Sequence, residues 1–169
     1  NLGEEKVRKW MRENKGKPLP LEWNEKPGDR YPQMQSARNF ANKIWNAARF
    51  VLGNMGDEIH EAEFPDDLPA RWILWRLNKT IQVITWQLDG LSFEASANML
   101  YEFIWNDFCD WFLELSKPKI RNNDPQILSL LCYILEVSMR LLHPFMPFLG
   151  EEIWTRLRKK SSAISLCVA

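Results

Sequence analysis

Between Gln35 and Asn54 the chain reads QSARNFANKIWNAARFVLGN, with Arg38, Lys43 and Arg49 and not one Asp or Glu. In the whole sequence 22 basic and 22 acidic residues cancel, so this window is a local departure from balance. Wound as a helix, it puts Phe40, Ile44, Ala47 and Val51 on one apolar face at i, i+4, i+7 and i+11. Asn39, Asn42, Lys43, Asn46 and Arg49 gather on the other side, with Phe50 among them. That set has a definite chemistry. Cations meet phosphates, a ring stacks on a base for roughly 1–3 kcal/mol, and amide or guanidinium edges read groups that an unpaired strand exposes. The plainer alternative is that Lys43 and Arg49 are solvated charges and that Phe50 packs on a neighbouring helix.

Catalysis has little to work with. His60 sits in an acidic stretch and His143 in a helix-breaking His-Pro, and neither has a second metal ligand at a useful spacing. There is no glycine-rich phosphate loop and no nucleophile elbow. Asp107 and Asp110, three apart on one helix, fall on one face. Paired carboxylates of this kind more often anchor an Arg or Lys inside a bundle than perform acid–base chemistry. No catalytic and no metal-binding residue is expected.

The elements that must hold the first helix read as further helices. A charged stretch, Glu4 to Asn14, and a connector with Pro18, Pro20, Pro27 and Pro32 fill residues 1–34. The first helix is expected from Ser36 to Gly53 and Asn54, whose types suit a left-handed end. After an acidic loop, Asp57 to Asp67, a second helix runs from about Pro69 to Asp89 and ends at Gly90. A third follows Ser92, with Phe93, Ala97, Leu100, Ile104, Phe108, Trp111 and Leu115 on one side. Tyr101, Trp105 and Phe112 on a second side make it the most enclosed, and Lys117-Pro118 closes it. Asn122 to Pro125 opens a fourth helix, His143-Pro144 breaks it, and Pro147 opens a fifth with Glu151 and Glu152 in its first turn. The expected fold is all-α, an antiparallel bundle of about five helices over 35–160. Residues 161–169 form a tail whose Ile164 to Val168 is apolar and β-prone.

Bulk numbers agree with one domain that buries a core: 169 residues, 46% hydrophobic and 26% charged. Nine Trp and nine Phe are expected to be mostly buried. Zero net charge argues against a domain that coats duplex DNA. Three widely spaced cysteines (Cys109, Cys132, Cys167) read as reduced thiols in a cytoplasmic protein. No apolar run looks long enough to cross a bilayer, so no membrane partner is expected. Without Met at position 1, the chain reads as part of a longer polypeptide.

Four strings then carry a resemblance: ARNFANKIWNAARFVLGN (37–54), RWILWRLN (71–78), LYEFIWNDFCDWFLELSKP (100–118) and LLHPFMPFLGEEIW (141–154). In this order and spacing they resemble the anticodon-binding helical domain of class I aminoacyl-tRNA synthetases, on the valine branch. The match covers about residues 36–157. It implies a bundle that receives the anticodon loop of valine tRNA, while a class I catalytic domain elsewhere in the polypeptide uses ATP and magnesium to aminoacylate it. No cofactor is implied for these residues themselves. By the same resemblance, Lys43, Arg49 and Phe50 meet the anticodon; Asn39, Asn42 and Asn46 join them from the wheel. The family's catalytic signature strings are absent. Departures are Ala70 in place of a common Asp, Trp75 in place of a small residue, and Gly150 in place of a Thr that would cap the last helix. Two alternatives remain: a protein-interaction bundle docking on a catalytic domain or partner, and the equivalent domain of an isoleucine or leucine enzyme.

Overall fold

Proline and aspartate decide where several helices begin. In the computed structural model, which describes residues 8–10, 12–14, 32–55 and 63–157, Asp67 caps a helix with Pro69 in its first turn. Asp124 caps another that opens on Pro125. The Asp67 carboxylate accepts the Ala70 N–H at 2.9 Å, and that of Asp124 accepts the Gln126 N–H at 3.0 Å. Proline is tolerated here because the first N–H groups of a helix have no partner within it.

The chain divides into two compact units, Asn1–Arg38 and Asn39–Ala169. In the first, residues 8–10 and 12–14 include a helical turn in which the Asn14 N–H reaches the Trp10 carbonyl at 2.9 Å. Pro18, Pro20 and Pro27, His60, most of the acidic loop, Cys167 and the tail Ile164 to Val168 lie outside the described residues. Pro32 is no connector residue. It opens helix α1 (Pro32–Asn54), ahead of the expected start at Ser36, because its fixed φ suits a first helical position. Neither Gly53 nor Asn54 is left-handed. The Asn54 side-chain amide donates to the Phe50 carbonyl at 2.7 Å instead.

The second unit continues with α2 (Leu68–Asp89) and then one long rod of three parts. These are α3 (Phe93–Glu102), a π-helix (Phe103–Phe112) and α4 (Leu113–Arg121). Helices α5 (Pro125–Leu142) and α6 (Pro147–Leu157) complete it, and no strand occurs among the described residues. The fold is the all-α bundle expected. Helix α2 and the rod are antiparallel: Arg76 of α2 meets Asp107 of the rod, and Asp67, before α2, meets Lys119 near the rod's far end. Two members apart, α1 and the rod run in the same sense, with Phe40 against Tyr101 and Lys43 against Trp105.

The rod departs most from a regular helix. Leu100, Ile104, Phe108, Phe112, Ser116 and Ile120 are all buried, and they stand four residues apart. At 3.6 residues per turn such a stripe drifts off the core. The rod holds it there by widening: the Leu113 N–H donates to the Phe108 carbonyl, five residues back. The widening also leaves Trp111 and Leu115 62% and 52% exposed, although a regular period puts both on the buried side. The rod is therefore not enclosed all round; Phe112 is buried, Trp105 half-buried and Tyr101 exposed. Nor does Pro118 end it. Pro118 and Glu114 both face solvent, so the carbonyl that loses its partner can be hydrated and the helix continues to Arg121.

At the end of α2, Gly90 has φ −84°, and the left-handed position falls to the next residue, Leu91, at φ 57°. Gly150 lies within α6, its N–H on the Met146 carbonyl at 3.0 Å. It is not a cap, and Glu151 and Glu152 stand past the first turn.

The core is aliphatic with four phenylalanines, Phe40, Phe103, Phe108 and Phe112. Contrary to expectation, the indoles lie mostly at its margin. Among the described residues only Trp154 is buried, while Trp75, Trp86 and Trp111 are exposed. Helix α5 corrects another expectation. Its 18 residues have mean hydropathy 1.4 and are long and apolar enough to cross a membrane. Half of them are buried in this bundle, among them Leu130, Leu131, Ile134 and Met139, as befits a core helix.

Candidate nucleic-acid interface

Helix α1 holds the site because its apolar face is anchored. Phe40, Ile44, Ala47 and Val51 are buried as expected, and Ala48 joins them. This fixes the rotation of the helix, and the six candidate residues then fall into two groups. Asn39, Asn42, Asn46 and Arg49 are exposed, at i, i+3, i+7 and i+10. They form one stripe. Lys43 and Phe50, seven residues apart, share the flank between this stripe and the core, and both are half-buried. Phe50 packs against the core with part of its surface open. It is both a packing residue and a ring at the edge of the polar stripe.

The flank carrying Lys43 meets the rod. The Lys43 ammonium lies 2.5 Å from Asp110 Oδ1 and 3.8 Å from the centroid of the Trp105 ring. Trp105 in turn stacks on Tyr101, with centroids 5.4 Å apart and planes inclined by 19°. Tyr101 reaches Phe40 at 4.8 Å. A seam of rings thus runs beside the stripe, with one cation at its edge. Tyr101 and Trp105 were expected to help bury the rod, not to border this face; only their place among apolar residues on a second side of the helix hinted at it.

Asp110 changes the electrostatics of the face. The window 35–54 has no acid of its own, yet the fold brings one in from the rod, and Lys43 does not present an unpaired charge. Arg49 is exposed and forms no ion pair with any described residue. Asp107 and Asp110 do what paired carboxylates in a bundle were expected to do, each holding a cation of another helix. They do not share a face, however. The widened turn sends Asp107 inward to Arg76, at 2.6 Å, and Asp110 outward to Lys43. Between them Cys109 is buried, and burial pushes its thiol up to about 12, against the opposing effect of nearby Lys43. It is a packing residue, not a nucleophile.

Elsewhere little chemistry is assembled. The last carboxylates of the acidic stretch lie near a helix N-terminus as expected. Hydrogen bonds from Lys119 and from the Ala70 N–H hold Asp67 below the usual carboxylate range, and Arg71 does the same for Asp66. A cavity of about 230 Å³ lies beside Phe40, Leu100, Tyr101 and Phe145, with Asn98 the one amide on its wall. Among the described residues no three His, Cys, Asp or Glu side chains come together to hold a metal.

Comparison with known proteins gives this geometry its context. Residues 70–167 match the family model described as the anticodon-binding domain of tRNA ligase. Helix α1 lies outside that span. The chain is 44% identical over 133 residues to a valine–tRNA ligase of Thermotoga maritima, covering 76% of this chain and 15% of that protein. It is 45% identical over 132 residues to the valine–tRNA ligase of Fervidobacterium nodosum, covering 75% and 15%. For that of Bacillus subtilis the identity is 44% over 143 residues, covering 80% and 16%. The chain thus spans about one sixth of the length of the curated relatives it matches. An all-α bundle whose second helix onward matches the family model over more than half the chain leaves one assignment: the protein belongs to the family of anticodon-binding domains of tRNA ligases.

Proposed function

We propose that this domain reads the anticodon loop of valine tRNA through the exposed stripe of α1 and the flank beside it. The observation that carries the proposal is the stripe itself. Three amides and Arg49, which has no ion-pair partner among the described residues, lie in a row, next to a half-open ring and a fixed ammonium. Phosphates are met by Arg49, an unpaired base stacks at Phe50, and Asn39, Asn42 and Asn46 offer donors and acceptors to base edges. The relatives' names supply the amino acid. In this reading a catalytic domain of the same polypeptide, using ATP and magnesium, attaches valine to the bound tRNA. No step of the recognition runs through either cofactor.

The rival reading, in which α1 docks on a protein, is disfavoured by composition. Protein interfaces centre on buried aromatic and apolar anchors. The exposed stripe of α1 has none; the exposed large apolar side chains lie on other elements, at Trp75, Trp86 and Trp111 for example.

Binding of this chain to anticodon stem-loop RNAs tests the reading. Arg49→Ala should weaken binding to the valine stem-loop. Phe50→Ala should cost roughly 1–3 kcal/mol of affinity, with thermal unfolding measured alongside because Phe50 also packs. Swapping the anticodon for that of isoleucine or leucine should lower affinity for the wild-type protein. If both variants bind all stem-loops as the wild type does, the face is misassigned.

A further inference from the structure

The ammonium of Lys43 has three N–H donors, and the fold occupies two directions around it. One points to Asp110 Oδ1, at 2.5 Å, and another lies over the Trp105 ring, whose centroid is 3.8 Å away. The Lys43 side chain keeps 23% of its surface exposed, so the remaining donor has an opening to solvent. Trp105 is itself held by stacking on Tyr101, and Asp110 stands on the π-helix of the rod. Both partners therefore belong to the framework rather than to mobile ends.

We infer that Asp110 and Trp105 are positioning residues that turn Lys43 from a phosphate clamp into a single directed donor for an acceptor atom on an unpaired base. The inference rests on the reading of α1 as the RNA face and says how one of its residues works. A free lysine is a flexible point charge that attracts any phosphate within reach. Paired with a carboxylate, Lys43 carries little net charge outward, so its pull on a backbone phosphate is cancelled locally. Its directed N–H remains. A donor fixed before binding also loses less conformational freedom on meeting its acceptor. The ligand atom is thus a carbonyl oxygen or unprotonated ring nitrogen of an exposed base. Arg49, with no acid beside it among the described residues, is left as the phosphate contact of the same face.

Salt dependence separates the two roles. On unpaired strands each phosphate contact adds about 0.7 to the slope of log affinity against log salt concentration. Affinities of the whole 169-residue chain for the valine stem-loop and for one with a swapped anticodon are measured over a salt series. Lys43→Met should weaken binding to the valine stem-loop with no change of slope, and Arg49→Met should lower the slope by about 0.7. Asp110→Asn should free Lys43, steepen the slope by about 0.7 on both RNAs and narrow the preference for the valine loop about two- to five-fold. The double variant Lys43→Met, Asp110→Asn should lose that steepening, which removes a general effect of deleting one acid. Trp105→Phe, which keeps a ring face, should retain more selectivity than Trp105→Leu, with helix content by circular dichroism confirming that both fold. The inference is overturned if Lys43→Met lowers the slope, or if Asp110→Asn leaves slope and selectivity unchanged. Should Lys43→Met not alter affinity at all, the reading of Lys43 as an RNA contact fails at a separate point.

Discussion

Asp107 and Asp110 are the same residue type three positions apart, and each binds one cation at about the same distance, yet they belong to different parts of the molecule's work. Asp107, with 12% of its side chain exposed, faces Arg76 across the contact between α2 and the rod. Asp110 is 50% exposed and meets Lys43 at the rim of the α1 face. A buried pair is expensive to break, because the survivor is left charged and without a partner; a rim pair leaves a survivor that water can solvate. Exposure, more than bond length, therefore divides the residue that fastens the bundle from the one that adjusts its surface.

The largest effect should come from breaking the inner pair. Asp107→Ala leaves the half-buried Arg76 without this carboxylate and should lower stability by about 2–3 kcal/mol, less than a fully buried pair because Arg76 keeps some access to water. Denaturant unfolding measures it, and a loss under about 0.5 kcal/mol would put Asp107 in the same class as Asp110. Asp67→Ala lies between the extremes. It removes a helix cap and an ion pair with Lys119, and should cost about 1 kcal/mol. Because the folded protein holds the Asp67 pKa below its ordinary 3.8, the contribution of this group is complete above that value. It is lost as pH falls through the lowered value. Melting temperatures from pH 6 down to the acid limit should then converge for the wild type and Asp67→Ala; parallel curves would contradict the assignment. Smallest is the outer pair. Asp110→Asn should change stability by less than about 0.5 kcal/mol, and a large loss would move Asp110 into the same class as Asp107.

Much of this was legible in the sequence, and the failures share a cause. The apolar face of α1, the starts of α2 near Pro69 and of α5 at the Asn122 to Pro125 turn, and the break at His143-Pro144 follow from local spacing and residue type, and each stands where it was expected. What went unread depends on neighbours distant in sequence. Asp110 comes to Lys43 from 67 residues away, so an acid-free window could not reveal that one of its cations is paired. Trp111 and Leu115 fit a helical period and are exposed because the helix there does not keep that period. The indoles were assigned to the core by bulk, but leucine, isoleucine and phenylalanine fill it, and Trp75 and Trp86 face solvent on α2.

The widened segment Phe103–Phe112 has a consequence for how this domain can vary. If the segment closed into ordinary α-turns at its present length, everything beyond it would rotate by about 100° or more relative to everything before. Ser116 and Ile120 would leave the core together, while Asp110 would swing away from Lys43. Only a helix about one residue shorter here could run in regular α-turns and keep nearly the same stripe. The ten residues act as a phase setting between two halves of one rod: they keep the core stripe continuous on one side and deliver a carboxylate to the α1 face on the other.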